Sequence, residues 1–255
     1  MGGVFRMTTR LLNISGCWIH LITRGNKMHN CRRVIKFVIL SLGLVFCLSG
    51  EAFSFWPEFW LSSDCFLGSA QGTQTTSSIA FDGTNFLVVW EDERINSQRD
   101  IFGARVSPQG EILDPIGIPI CASPGVQSYV NVAWGGQNYL VVWQDLENDN
   151  SAIYGARVSP DGNVLDPNGF FIAGGLQWAL YPAVASDGTN FFVVFSYDRG
   201  EPSYSYDIYG LRVTPDGEVL DPQGISICAS YQYEVCPAIA YNGSLFLVAW
   251  ELNQG

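Results

Sequence analysis

Four near-copies of one five-residue stretch constrain this chain more than any other feature. Phe86-Leu87-Val88-Val89-Trp90 returns as Tyr139-Leu140-Val141-Val142-Trp143, as Phe191-Phe192-Val193-Val194-Phe195 and as Phe246-Leu247-Val248-Ala249-Trp250. The last residues of these copies stand 53, 52 and 55 positions apart. Five apolar residues in a row, rich in β-branched and aromatic types, predict a strand covered on both faces. A period near 50 residues predicts a propeller or a solenoid.

The rest of each repeat falls at fixed offsets from this strand, called B. A preceding strand A ends in Ile79-Ala80, Val132-Ala133, Val184-Ala185 or Ile239-Ala240. Tight turns at Asp82-Gly83, Gly135-Gly136, Asp187-Gly188 and Asn242-Gly243 then lead into B, with Gly supplying the positive φ of a short hairpin. Strand C is Ile101-Phe102-Gly103-Ala104-Arg105-Val106 and its counterparts from Ile153 and Ile208. A Ser/Thr-Pro-x-Gly turn follows at Pro108, Pro160 and Pro215. Strand D comes after a Leu-Asp-Pro step and ends near Ile120, Ile172 and Ile227. Arg105, Arg157 and Arg212 lie within cross-strand reach of Asp114, Asp166 and Asp221. A pair repeated in every unit reads as structural rather than catalytic.

This spacing divides the chain. A lone leading D strand covers 60–67, three repeats cover approximately 76–121, 128–173 and 181–228, and a partial repeat covers 237–251. The last B strand is expected to have an unpaired outer edge near Leu247-Val248-Ala249, and to template association. Residues 53–255 thus read as an incomplete propeller. Ahead of them, Arg32, Arg33 and Lys36 precede the apolar run Phe37–Leu48, with Gly50 and Ala52 after it. That order over 28–52 is that of a signal peptide, and the run is short of the ~20 residues of a membrane span. An uncleaved anchor is the alternative. Residues 1–27 read as disordered or as an upstream artefact, with Met28 the true start. The chain is expected to be secreted, periplasmic or on the cell surface.

From Phe53 onward there are six Arg, no Lys and no His against 23 Asp and Glu, a net charge of −17. Such a surface repels phosphates, so nucleic acid and anionic membranes are excluded as partners, apart from contact through the signal or anchor segment. Without His or Lys there is no Ser-His-Asp triad, no Cys-His pair and no Schiff-base lysine. Two-carboxylate glycoside chemistry stays open. The exported part holds Cys65, Cys121, Cys228 and Cys236. Cys228 and Cys236 flank one D–A loop and are the expected disulfide, whereas Cys65 and Cys121 fall on separate blades. With no His and no C-x-x-C, zinc is not expected.

The pattern N-[FY]-L-V-V-W, then I-[FY]-G-A-R-V-S-P-D-G, then L-D-P-x-G-I, resembles the repeats of secreted bacterial β-propellers of the WD40-like or TolB-like kind. The likeness spans residues 60 to 255. It implies an all-β fold of four-stranded antiparallel blades, three full repeats with partial blades at both ends. Such families commonly have six to eight blades, and an N-terminal strand that closes the last one. An open β-solenoid is the other architecture the period allows.

In a propeller of this kind the B–C and D–A loops share one face. The B–C loops are acidic, with Glu91, Asp92 and Glu93, then Asp145, Glu147 and Asp149, then Asp198 and Glu201. The D–A loops carry Tyr129, Trp178, Tyr181, Tyr231 and Tyr233. The candidate ligand-binding residues are Trp178, Tyr181, Tyr231, Tyr233, Asp145 and Asp198, facing a glycan or a protein. No cofactor is expected, with Ca²⁺ the one candidate: Asp145, Glu147 and Asp149 supply alternate oxygens suited to it. Against each stands a plain structural role, as a solvated acidic loop or as blade packing for Trp178. The chain reads as a binding module. The alternative is a propeller-type glycoside hydrolase or lyase using carboxylates, its site completed by further blades.

Overall fold

The computed structural model describes residues 72–253, except 96, 97, 148, 149, 176, 199, 201–204 and 231, together with the backbone of 11–14 and 17–23. The expected signal segment 28–52, the leading strand 60–67 and Cys65 lie outside the described residues. No described helix is long and apolar enough to cross a membrane.

The described chain is all-β. Strands β1 (Leu11–Ile14) and β2 (Cys17–Thr23) come first. Blade I follows as β3 (Gln74–Phe81), β4 (Phe86–Asp92), β5 (Asp100–Val106) and β6 (Ile118–Cys121). Blade II is β7 (Val126–Trp134), β8 (Tyr139–Glu147), β9 (Asn150–Val158) and β10 (Phe170–Gly174). Blade III is β11 (Ala179–Ser186), β12 (Phe191–Asp198), β13 (Tyr206–Val213) and β14 (Ile225–Cys228). Blade IV opens with β15 (Tyr233–Tyr241) and β16 (Leu245–Asn253). Each blade is a four-stranded antiparallel sheet, in the order A-B-C-D for the first three. The A strands of successive blades run beside one another, which is the β-propeller arrangement that the repeat predicts.

Blade IV departs from expectation. The outer edge of β16 is not open: Leu245 to Trp250 pair antiparallel with Thr23 back to Trp18, and β2 pairs in turn with β1. The edge presents a row of unmet N–H and C=O groups, and Cys17–Thr23 is a short β-favouring run able to meet them. Nothing in the sequence marks this run as a blade strand, since it lies ahead of the signal-like segment and lacks the I-[FY]-G-A-R-V signature.

Strand B explains the stacking. In β8 alternate side chains point to opposite neighbours. Tyr139, Val141 and Trp143 pack with Leu87, Val89 and Ile101 of blade I. Leu140 and Val142 pack with Phe191, Val193 and Phe195 of blade III. Burial of each such side chain is worth roughly 1.5–3 kcal/mol.

Two further devices fix one blade on the next. The first is an aromatic ring at the start of strand B leaning on the preceding A–B turn. The Tyr139 hydroxyl donates to the Asn85 carbonyl (3.0 Å). Phe191 fills the space over Gly135, where a Cβ would lie 2.2 Å from its Cζ. Gly therefore stands where the other turns carry Asp or Asn. The second is the Arg–Asp pair. Arg105 grips Asp114 through Nε and Nη2, both at 2.9 Å, while its backbone N–H donates to the same carboxylate. Arg157–Asp166 and Arg212–Asp221 repeat this fork. Burial would raise the Asp114 and Asp166 carboxyls, but the forks outweigh it and hold both below the ordinary range; at Asp221 the fork is the largest influence. Arg105 also donates through Nη1 to Pro160 O of the next blade (3.3 Å), so the pair is structural as predicted.

Gly135→Ala is expected to destabilise the protein by about 1–3 kcal/mol through overpacking against Phe191. Combined with Phe191→Leu, the loss should fall short of the sum of the two single losses, measured by denaturant melts.

Candidate functional site

Antiparallel A-B-C-D order puts the B–C and D–A connections at the same end of every blade. The inner edge of that end is shaped by a repeated irregularity. Each A strand carries a bulge, between Thr75 and Ser77, Ser128 and Asn131, Leu180 and Ala183, and Val235 and Ala238. At each bulge one non-glycine residue is left-handed: Thr76 (φ 39), Tyr129 (φ 55), Tyr181 (φ 55) and Cys236 (φ 54). That conformation is costly for a bulky side chain and persists only where its surroundings over-determine it. Here the polar residue after strand B of the preceding blade holds it. Glu91 Oε1 accepts from the Tyr129 N–H (2.7 Å), and Gln144 Oε1 accepts from the Tyr181 N–H (3.3 Å).

The bulges bring tyrosines together. The Tyr129 and Tyr181 rings meet edge to face, with centroids 4.7 Å apart and planes at 84°. Tyr206, at the start of β13, lies close enough to Tyr181 to influence it, as does Cys236. The Tyr206 and Tyr233 rings are 6.0 Å apart, and Asp198 and Tyr233 both act on the Tyr206 phenol. Burial, then these neighbours, push the Tyr181 and Tyr206 phenols upward, so both remain neutral donors. Tyr129 is 44% exposed and Tyr233 39%, so the cluster faces solvent.

Of the sequence-predicted residues, the structure gathers Tyr181, Tyr233 and Asp198 into this cluster. Asp198 Oδ1 accepts from Gly200 N–H (2.9 Å), and its own N–H donates to Trp178 O (2.8 Å). Trp178 is thereby pinned at the same rim through its backbone, with its residue 42% exposed rather than packed in a blade. Asp145 stands apart, at the joint of blades I and II, where Gln127 Nε2 donates to it (3.2 Å). Tyr231 and Asp149 lie outside the described residues, as does the Glu147 side chain. Among the described residues no group of three or more His, Cys, Asp or Glu is placed to hold a metal. The expected Cys228–Cys236 disulfide is not formed, and both thiols are free. Cys228 ends the D strand of blade III and its thiol donates to Glu234 Oε1 (3.4 Å), while Cys236 sits exposed on the bulge of blade IV. The sequence reading missed Tyr206, which sits just inside strand C beyond a variable loop and carries no motif of its own.

Behind the rim, the joints between blades differ in polarity. Joint I/II buries Asp100, Cys121 and Gln127, and joint III/IV buries Asp207 and Glu234 beside Cys228. The equivalent positions at joint II/III are Ala152, Ala173 and Ala179. Glu234 accepts from the Ser230 hydroxyl. Asp100 Oδ2, Gln127 Oε1 and Glu234 Oε2 have no hydrogen-bond partner among the described residues. Burial, then the facing Asp92, push the Asp100 carboxyl up to about 6. Asp92 itself goes the other way. Burial would raise it, but Arg94 (2.6 Å) and the Trp90 indole (2.7 Å) hold it below the ordinary range.

No family model matches the chain, and neither does any curated protein. Solved structures do. An endo-arabinase from Bacteroides thetaiotaomicron VPI-5482 is 10% identical, covering 99% of this chain and 95% of its own, at a TM-score of 0.49. An α-L-arabinofuranosidase from Lactobacillus brevis is 12% identical over 87% of this chain and 77% of its own, at a TM-score of 0.45. A neuraminidase-like protein of A/little yellow-shouldered bat/Guatemala is 13% identical over 69% of this chain, at a TM-score of 0.47. The chain spans about half the length of the two neuraminidase-like bat proteins, at 50% and 44%. None of these proteins is WD40-like or TolB-like by name, and at these values the likeness carries no argument about activity.

Two outcomes are expected. Because Asp100 is raised in the folded state, it favours folding at low pH, and that contribution is lost as pH rises through about 6. Asp100→Asn should therefore stabilise the chain relative to the parent at pH 7.5, by on the order of 1–2 kcal/mol, and by much less at pH 4. Thermal melts at the two pH values check the sign. Trp178→Ala should shift the melt by under ~1 kcal/mol, since the ring is exposed.

Proposed function

We propose that the loop face of this propeller binds a saccharide on the tyrosine cluster at the inner edge of blades II to IV. One observation carries the reading. Tyr129 and Tyr181 are held left-handed in adjacent blades, with rings meeting at 84° and the cluster exposed. The left-handed bulge holds the two rings against each other and puts a rigid apolar corner at the solvent-facing rim, where a loop side chain would otherwise be free. Sugar rings stack on such faces, while phenol hydroxyls and Asp198 meet sugar hydroxyls. The repeat's likeness to secreted propellers and the basic, apolar, small-residue order of 28–52 support a role outside the cytoplasm.

A second reading has the bound sugar cleaved. The observation favouring it is the pair Asp92 and Asp100, facing each other across β4 and β5, with carboxyls pushed in opposite directions. Such a split is what a proton donor and its ionised partner need. Both lie at the loop end of blade I, buried behind the rim, so cleavage also requires the joint of blades I and II to open to the sugar.

The test is calorimetric titration of the full chain with a panel of oligosaccharides, arabino-oligosaccharides included, followed by chromatography of the sugar. Tyr181→Ala should weaken binding by at least about tenfold, in line with ~0.5–1.5 kcal/mol for stacking plus the lost area. Intact sugar after prolonged incubation supports binding alone. Shortened products that disappear in Asp100→Asn support cleavage. No heat with any sugar would end the proposal.

A further inference from the structure

We infer that the loop face selects saccharides bearing free amino groups, an aminoglycan with unacetylated residues, over neutral and anionic ones. The inference rests on the saccharide reading and adds the class of sugar.

A tyrosine face is electron-rich and attracts an ammonium within about 6 Å of its centroid. Four such rings, Tyr129, Tyr181, Tyr206 and Tyr233, stand in one cluster contributed by blades II, III and IV. Two of them form a perpendicular corner, which presents two surfaces to one cation. A neutral sugar needs stacking faces and hydrogen-bonding partners, which uncharged side chains supply as well as carboxylates do. Yet Asp198 acts on Tyr206, and Glu251 acts on Cys236, which in turn neighbours Tyr181. Glu251 is exposed and Asp198 partly so.

The described cations near this end are already engaged, and Arg199, next to Asp198, lies outside the described residues. Among the described residues, Arg94 is tied to Asp92 and lies over the Phe102 ring at 4.3 Å. Arg99 is tied to Glu91 and Glu93. The remaining described arginines, Arg105, Arg157 and Arg212, are forked to Asp114, Asp166 and Asp221 beside the C–D turns, at the other end of the blades. A carboxylated or sulfated sugar therefore meets no described donor fork at the tyrosines. It also meets the field of a chain carrying 23 Asp and Glu and neither Lys nor His from Phe53 onward. That field repels anions and raises the local concentration of cations before contact. Ring faces, adjacent carboxylates and net field all favour the same sign of ligand.

The experiment titrates the full chain with three oligomers of matched length: fully deacetylated chito-oligosaccharide, its N-acetylated counterpart and oligogalacturonate. It is run at pH 6, where the amine is protonated, at low and at high salt. The deacetylated oligomer is expected to bind at least about tenfold tighter than the N-acetylated one, and oligogalacturonate not at all. The preference should shrink with salt. Asp198→Asn keeps an oxygen for Gly200 N–H and removes the charge. It should cost the amino oligomer several-fold more affinity than it costs the N-acetylated one, with an unchanged melting curve. Equal affinity for the two chito-oligomers overturns the inference and leaves the saccharide reading standing. Binding of neither, with arabino-oligosaccharides also silent, overturns the reading itself. Oligolysine displacing the amino oligomer at equal amine concentration, with the same loss in Asp198→Asn, overturns the inference in favour of a basic peptide.

Discussion

The structure depends on strand B being apolar on both faces. A strand of that kind is insoluble as half of a two-layer sandwich with one wet side, and it becomes stable only between two further sheets. Each blade therefore requires its neighbours. The ring at Phe191 and the absent side chain at Gly135 are two sides of the same demand, since the joint is close enough that one blade's aromatic occupies the other's Cβ position. The Arg–Asp forks act at the far end of the same joints, binding the C–D turn of one blade and touching the turn of the next through Pro160. Polar clamps at one end and aromatic knobs in the A–B turns leave the opposite end free to vary.

That division accounts for how much was legible in the sequence. The blades were legible because their signals are local and repeated: Gly after Asp or Asn in the turns, unbroken apolar runs in strand B, Arg and Asp nine residues apart. The completion of blade IV by Cys17–Thr23 was not, because pairing across more than two hundred residues leaves no periodic mark and the segment lacks the repeat's signature. The candidate site was half legible. Tyr181, Tyr233 and Asp198 could be placed on the loop face by topology. The bulges that turn Tyr129 and Tyr181 to the inner edge could not, because no residue type announces a left-handed tyrosine. Pro182 and Pro237, directly after Tyr181 and Cys236, are the only hints, since proline pushes the residue before it away from the right-handed helical region. Cys228 and Cys236 misled for the opposite reason. Eight positions apart in sequence, they fall in different sheets with separate surroundings.

The site also shows how the repeat divides labour between blades. Glu91 and Gln144 occupy the same place after strand B, and each holds the left-handed backbone of the following blade. Ser196 at the third such place is too short for that reach, and its hydroxyl has no partner among the described residues. The tyrosines at the second and third bulges give way to Cys236 at the fourth, the bulge Ser196 would have served. The aromatic corner thus belongs to blades II and III, and blade IV contributes through Tyr233 instead. A scaffold repeated almost without change carries a surface that differs at every blade.

The unequal joints have a consequence for how such a molecule comes apart. In a linear array stability is close to a sum of nearest-neighbour terms. Alanines at 152, 173 and 179 stand where the outer joints bury carboxyl, amide or thiol groups, and the polar groups that join blades II and III there are paired, Ser151 Oγ donating to Ala179 O and Tyr181 N–H to Gln144 Oε1. The outer joints bury acceptor oxygens at Asp100, Gln127 and Glu234 that gain water as soon as they open. Opening an outer joint therefore forfeits less polar pairing than opening the joint of blades II and III. The aromatic corner spans that inner joint, the one with least to gain from water.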